Sequence, residues 1–472
     1  MLSECHTCAL SPAASFSPVV RFTIILLVVS LVLSTLWLSD AHGSRHRWNN
    51  ASLRPPTHEK LWKWEASLPQ HDPDLAFPEG RTGRYVKFSN QALRLGWNNC
   101  FNEVLMNSHL AYMSEPCLCA CNCMVFQPYY WGGHYPWPSS QRADYFRTTT
   151  PLNALLSGPA AGRPWEAGDN APRAVSESYF DMICPDSERR KISTAQVKPR
   201  LRHSEGIVVF QEWMKVLSEA PERCVEVVPG PWAEDDHPQV FDLWLFGSRR
   251  IVSLWEEFAQ SPTSRLLGPS KIVEAAVARN RRLFLPPRGS SRRDPFPRML
   301  AMHLRRGDYR EACLEFARYG STFYSWNLLP FLPDQFTPLP EGHPDRVARV
   351  MEHCLPDRDA VVRKVKQAKA EYLQTREHPA AKVDILFILT NEHDAWLEEL
   401  KDALLREDRW RIVTSRELQL DAEQTEVSMA VDMEIARRAA VFIGNGWSSM
   451  TSNIIHARLV NGLHPHINNR FF

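Results

Sequence analysis

Phe442-Ile443-Gly444-Asn445-Gly446-Trp447-Ser448-Ser449-Met450-Thr451 reads as a strand end, a glycine turn and a helix start bearing three hydroxyls. The first turn of a helix has N–H groups without intrahelical partners and carries the positive end of the helix dipole, so it suits a phosphate. Gly444 and Gly446 are expected to let the backbone approach a ligand closely. Ser448, Ser449 and Thr451 are expected to donate to its oxygens. Plain N-capping by Ser448 or Ser449 is the competing reading of the same residues.

Around this stretch, apolar runs alternate with amphipathic ones. Strands are predicted at Met299–Leu304, Val383–Leu389, Arg411–Val413 and Val441–Ile443, and helices at Ala360–Gln374, His393–Leu405, Val427–Ala439 and Ser449–Leu459. Apolar strands alternating with helices imply a parallel sheet covered on both faces, with ligands at the strand C-terminal ends. One such end is Met302-His303-Leu304-Arg305-Arg306-Gly307-Asp308. An arginine here suits a diphosphate, because its planar fork is always charged and bonds two oxygens at once. A salt-bridged arginine at a strand end is the plain alternative.

The N-terminal half is less periodic. Arg84–Phe88 is predicted to be a strand, followed by a turn at Leu95-Gly96-Trp97-Asn98-Asn99 and a helix with Val104, Leu105, His109 and Tyr112 near one face. Met124-Val125-Phe126 begins a second apolar segment. Ile207–Phe210 and Asp242–Gly247 are predicted strands, and Ile272–Phe284 a helix. Residues 128–175 form a long aromatic, proline-rich segment of the kind that serves as a lid or binding loop. Tyr129–Arg173 is the expected acceptor contact. Glu103 and Asp181 are candidate bases. Neither a Walker A sequence nor a G-x-G-x-x-G fingerprint is present, which disfavours a GTPase and a dehydrogenase.

The 472 residues call for two or three domains. A net charge of +1 argues against holding nucleic acid or anionic lipid by bulk charge. Val19–Leu38 contains a single charge, Arg21, and is long enough to cross a hydrocarbon layer of ~30 Å. It is read as a membrane anchor, with a cleaved signal ending near Ala41-His42-Gly43 and a buried core helix as alternatives. Arg45, Arg47, Arg54 and Lys60 beyond it oppose a lumenal body by positive-inside counting. The Asn50-Ala51-Ser52 sequon favours one. Cys5 and Cys8 precede the run. Cys117, Cys119, Cys121 and Cys123 alternate along one face of an extended segment, as free thiols, disulfides or metal ligands. Cys184/Cys224 and Cys313/Cys354 are possible bridges.

Taken together, the motifs resemble the GDP-fucose protein O-fucosyltransferase family and its wider fucosyltransferase relatives. The family's H-L-R-x-G element matches His303, Leu304, Arg305 and Gly307. Its late element matches Val431, Asp432, Met433 and Ile435, then Phe442, Ile443, Gly444 and Asn445, then Ser448, Ser449 and Thr451. Its early glycine-asparagine loop matches Gly96, Asn98 and Asn99 more loosely. The resemblance implies an α/β, GT-B-like enzyme with two Rossmann-like domains and a donor cleft between them. It also implies an inverting, metal-independent transfer of fucose from GDP-fucose to a protein or glycan hydroxyl. By the same carry-over, Arg305 holds the β-phosphate and acts in catalysis. His303 and Asp432 place the nucleotide, Gly444 and Asn445 lie at the donor, Ser448, Ser449 and Thr451 bind phosphates, and Gly96, Asn98 and Asn99 face phosphate or fucose. No metal and no further cofactor are expected. Two positions depart from the family: Ala439-Ala440-Val441 lacks an acid before F-I-G-N, and Leu95 stands where some relatives carry a glutamate.

The expected layout is a cytosolic tail (1–18), a membrane anchor (19–38), a stem (39–80), an N-terminal Rossmann-like domain on the acceptor side (81–290) and a C-terminal one on the nucleotide-sugar side (291–472). The expected location is a Golgi or endoplasmic reticulum membrane with the body in the lumen, or secretion if the N-terminal segment is cleaved. A catalytically inactive relative that binds nucleotide sugar or glycan, and a non-enzymatic secretory-pathway α/β protein with a scaffold or adhesion role, are the alternatives.

Overall fold

A computed structural model describes residues 54–114, 122–132, 135–137, 148–169, 171–231, 234–235, 237–286, 294–375 and 382–472. The Val19–Leu38 run, Cys5, Cys8, the Asn50 sequon, Cys117 to Cys121 and the expected domain boundary at 290/291 lie outside the described residues. Among the described residues no helix is long and apolar enough to cross a membrane.

The chain first forms helix α1 (Glu59–Ala66), strand β1 (Arg84–Phe88), helix α2 (Trp97–Met113) and strand β2 (Asn122–Phe126). There follow β3 (Val175–Ser176), α3 (Glu177–Ile183), β4 (Arg190–Ser193), α4 (Gly206–Glu219), β5 (Cys224–Val228), α5 (Leu243–Phe246) and α6 (Lys271–Asn280). The second half runs β6 (Met299–Leu304), α7 (Tyr309–Tyr319), α8 (Arg346–Cys354), α9 (Arg358–Gln374), β7 (Ile385–Thr390) and α10 (Ala395–Glu407). It ends with β8 (Arg411–Thr414), α11 (Ala422–Glu426), α12 (Ser428–Arg438), β9 (Val441–Gly444), α13 (Ser449–Val460) and β10 (Asn469–Phe471).

Two five-stranded sheets result, in the orders β3-β2-β1-β5-β4 and β8-β7-β6-β9-β10. Every pairing within them is parallel. In the second sheet β6 and β9 are buried along their whole length. Leu300, Met302, Leu386, Ile388, Val441 and Ile443 pack on one face against Val361 and Val365 of α9 and Leu397 and Leu400 of α10. The first sheet has a smaller core in which Tyr85, Val125 and Val175 meet Tyr179 and Phe180 of α3. The expected α/β class with two parallel sheets is therefore observed.

Two predicted strands are helices instead. Ile207–Phe210 opens α4, where Val209, Phe210, Trp213 and Leu217 are buried at helical spacing while Val208 is exposed. The β-branched run is too short to override that wider periodicity. Asp242 caps α5, its carboxylate accepting from Leu245 N–H at 2.9 Å. Leu245 and Phe246 turn inward, and Leu243 and Trp244 turn out to solvent. The actual strands β4 and β5 escaped notice because Arg190 and Lys191 face water and Glu226 interrupts the apolar run.

The described part of the expected stem, 54–80, is packed onto the body. Gln70 Nε2 donates to the carbonyls of Gly162 and Ala174 at 2.8 and 2.9 Å. His58 Nε2 meets Glu426 Oε1 at 2.9 Å with both side chains buried. Tyr135 and Thr150 also donate to that carboxylate. Several described aromatic residues of the expected acceptor segment are likewise inside: Trp131, Tyr135 and Trp137 are buried, with edge-on contacts from Tyr129 to Trp131 to Tyr135 and a tilted one from Tyr135 to Trp137. Disulfides join Cys184 to Cys224 and Cys313 to Cys354, the two pairs considered from the sequence.

Candidate functional site

The C-terminal end of β6 delivers His303 and Arg305, and the end of β9 leads into α13. The two ends are tied together: His303 Nδ1 and Thr451 Oγ1 are 3.0 Å apart. Thr451 Oγ1 also accepts from the Asn445 N–H at 3.1 Å. Burial, aided by the nearby Arg305 charge, pushes the His303 pKa down to about 3. The imidazole is therefore neutral at physiological pH and acts as a hydrogen-bonding brace, being too weakly basic to take a substrate proton.

The first turn of α2 reaches the same place from the other half of the chain. Asn453 Nδ2, in the opening turns of α13, donates to both the carbonyl and the Oδ1 of Asn98 at 3.0 Å. Two helix N-termini, each following a strand of a different parallel sheet, thus meet. Asn98, Asn99 and Gly96 are all partly exposed there. No atom lies within 4 Å of where a Cβ on Gly96 would sit, so the tip of α2 is uncovered.

The glycines of the late motif have a packing role. A Cβ on Gly444 would lie 2.2 Å from Thr451 Cγ2, and one on Gly446 would lie 2.3 Å from the Phe323 ring. They clear space for the protein's own side chains. Asn445 is likewise engaged within the loop, its Nδ2 donating to the Cys354 carbonyl at 2.7 Å and its Oδ1 accepting from Trp447 N–H at 3.0 Å. Thr451 is fully buried, and Ser448 caps α13 with little exposure. Ser449 is the partly exposed hydroxyl of the three.

Arg305 is about one-third exposed, at 32%, and pairs with the more exposed Asp308 at 2.9 Å. Its neighbour is fixed elsewhere: Arg306 lies 3.6 Å over the Trp396 ring, bonds Glu392 at 3.3 Å and donates to the Pro356 carbonyl at 3.0 Å. Of two adjacent arginines, one is locked in the scaffold and one is left at the site. Asp432 Oδ2 accepts from Ser415 Oγ at 2.7 Å, at the end of β8, two strands from β6. It sits at the same sheet end as His303.

Neither candidate base stands free. Glu103 is buried and accepts from Ala92 N–H at 2.8 Å, and burial pushes its carboxyl up to about 8. It braces the loop before α2. Asp181 is held by Arg189 at 2.7 Å and Lys87 at 3.4 Å. Sequence reasoning also passed over Asn391 and Asn453. Asn391 had a local signal, as a polar residue just after an apolar strand. Asn453 had none, since it matters only through a residue in the other half of the chain.

No family model matches the chain, and no curated protein does. Among solved structures the chain is similar to POFUT1 in complex with GDP, at 12% identity and a TM-score of 0.47, covering 82% of this chain and 98% of that one. It is also similar to NodZ alpha-1,6-fucosyltransferase soaked with GDP-fucose, at 10% identity and a TM-score of 0.34, over 79% and 92% of the two chains. A mutant of Arabidopsis thaliana FUT1 in complex with GDP is similar at 11% identity and a TM-score of 0.34, over 87% and 80%.

Proposed function

We propose that this chain is a glycosyltransferase that moves fucose from GDP-fucose to a protein or glycan hydroxyl, with inversion and without a required metal. The observation that carries the reading is the hydrogen bond between His303 and Thr451. It sets the strand end bearing Arg305 against the first turn of α13, where a diphosphate would find both a guanidinium and a helix tip. The open tip of α2, brought in through Asn453 and Asn98, adds a second set of N–H groups.

In this reaction the acceptor oxygen bonds to the anomeric carbon as the bond from that carbon to the β-phosphate oxygen breaks. The electron pair leaves with GDP, and the hydroxyl proton passes to a base or to solvent. Negative charge builds on the diphosphate, and fixed cations and dipoles aimed at it lower the barrier. Arg305 supplies the cation by exchanging the solvent-exposed carboxylate of Asp308 for phosphate oxygens. An exposed pair of this kind is worth at most about 1 kcal/mol, so the exchange costs little.

The disulfides support a body in an oxidising compartment. With the Val19–Leu38 run, they favour a membrane-anchored protein of the Golgi or endoplasmic reticulum with a lumenal body. A thermal-shift series with GDP, UDP and ADP, with and without EDTA, followed by GDP-fucose turnover, tests the proposal. GDP is expected to stabilise the protein most, with EDTA having no effect. Arg305→Ala is expected to abolish turnover while leaving the fold intact. A preference for UDP or a metal requirement would overturn the donor assignment. Binding of GDP without turnover would identify an inactive relative.

A further inference from the structure

We infer that Asn391 is the positioning residue that sets Arg305 for the diphosphate, an inference that rests on the donor reading above. Pairing of β6 with β7 ends at Leu304 opposite Thr390. Arg305 therefore lies just past the last rung of the sheet, where no strand neighbour fixes the chain. Asn391, the residue after β7, continues the ladder with its side chain. Its Oδ1 accepts from the Arg306 N–H at 2.8 Å, and its Nδ2 donates to the Arg306 carbonyl at 2.7 Å. A primary amide offers one acceptor and two donor hydrogens, so it can replace a strand residue on both sides of Arg306.

The second Nδ2 hydrogen is used as well. Nδ2 donates to Asp308 Oδ1 at 3.0 Å, while Asp308 Oδ2 accepts from Arg305 at 2.9 Å. Asn391 thus holds both the backbone that follows Arg305 and the carboxylate that faces its guanidinium. Gly307, between the two anchored residues, has φ +63°, and a Cβ there would lie 3.1 Å from Asn391 Nδ2. The turn closes tightly around this one amide. With Asp308 parked on Asn391, the guanidinium can exchange carboxylate for phosphate without the loop moving.

The test measures GDP affinity by titration calorimetry on the full chain and its variants, with the fold checked by near-ultraviolet circular dichroism. Asn391→Ala is expected to weaken GDP binding roughly 10- to 100-fold, the loss typical of a misplaced binding group. In an Arg305→Ala background the same change is expected to have no further effect, because Asn391 acts through Arg305. Asn391→Asp keeps the acceptor and loses both donors at neutral pH. The new carboxyl would face the Asp308 carboxylate at about the 3.0 Å now spanned by the amide, and two carboxylates so placed hold one proton well above the ordinary value of about 3.9. Affinity relative to the unaltered protein is therefore expected to recover as pH falls from about 7.5 to about 5.5 and a protonated carboxyl regains a donor. Should Asn391→Ala fail to fold, that pH series carries the test.

An equal loss in both backgrounds, or an Asn391→Asp deficit that does not change with pH, would mean a merely structural asparagine and overturn the inference. If Arg305→Ala loses GDP while Asn391→Ala binds it normally, the positioning role falls and the donor reading stands. If the unaltered protein does not bind GDP at all, both fall.

Discussion

Asn453 and Asn98 lie 355 positions apart in the sequence and share a single side-chain amide, which donates to the carbonyl and the side-chain oxygen of Asn98 at 3.0 Å each. Through this contact the starts of two helices from different sheets are held in one place. Asn453→Ala removes this bridge at a site where Asn453 itself is buried, while the Asn98 carbonyl keeps its place in the α2 helix ladder. The expected cost is about 0.5–1.5 kcal/mol of stability, read by urea denaturation, together with weaker GDP binding. GDP binding at full strength in this variant would separate the α2 tip from the site.

Three glycines near the site are expected to respond differently to alanine. Gly446→Ala drives a methyl group into the Phe323 ring, and Gly444→Ala drives one into Thr451. Each is expected to destabilise the protein by about 1–3 kcal/mol, measured as a lower denaturation midpoint. Gly96→Ala meets nothing within 4 Å and is expected to fold normally. Loss of GDP binding there, with the melting temperature unchanged, would mark the uncovered tip of α2 as ligand-bearing.

Acid should unfold this protein at a mild pH. Burial pulls the pKa of His109 down to about 4 and those of His303 and His456 to about 3, against about 6.5 in an unfolded chain. Between those limits the unfolded state binds more protons. The histidine contribution is therefore undiminished above about pH 6.5 and falls as the pH drops toward the folded values, while Glu103, with its carboxyl raised to about 8, offsets one such slope between about pH 4.5 and 8. Each histidine contributes a slope of up to about 1.4 kcal/mol per pH unit. Urea titrations from neutral to mildly acid pH check this. His109, whose ring lies 4.9 Å from Phe210 and whose Nδ1 has no hydrogen-bond partner among the described residues, is the one to replace. His109→Phe is expected to flatten the slope at little cost at neutral pH.

Arg458 is the largest electrostatic commitment in the core. It is fully buried, and its partners are the carbonyls of Ala436, Arg437, Ala439, Ala440 and Asn468 and the Oδ1 of Asn469. Burial lowers its pKa to about 9, so it stays protonated at neutral pH. It closes the C-terminal end of α12, where a cation also complements the helix dipole. Arg458→Met keeps the length and removes every donor. A loss of roughly 3 kcal/mol or more is expected in urea denaturation, while a neutral result would mean that water replaces the guanidinium.

The second sheet was legible because Met299–Leu304 and Val441–Ile443 are apolar on both faces, as a doubly covered parallel sheet requires. The first sheet was not. Its edge strand carries Arg190 and Lys191 toward water, and Glu226 inside β5 is accommodated by Ser89 and Arg189. The motifs around His303, Gly444 and Asn98 could be found because each is local. Their meeting could not, because it depends on contacts such as Thr451 to His303 that no spacing encodes. The glycines carry a further packing role that the sequence did not disclose: they make room for Thr451 and Phe323.

His58 sits deep against Glu426, beside Tyr135 and Thr150. The segment from Arg54 to Gly80 is therefore a plug, and where the chain is cut decides whether the fold survives. A soluble form trimmed at residue 80 would lose the imidazole and leave the Glu426 carboxylate to Tyr135 and Thr150 alone, without its potential cation. One that starts ahead of Arg54 would keep both. Any protease that releases the body from a membrane would have to respect the same boundary.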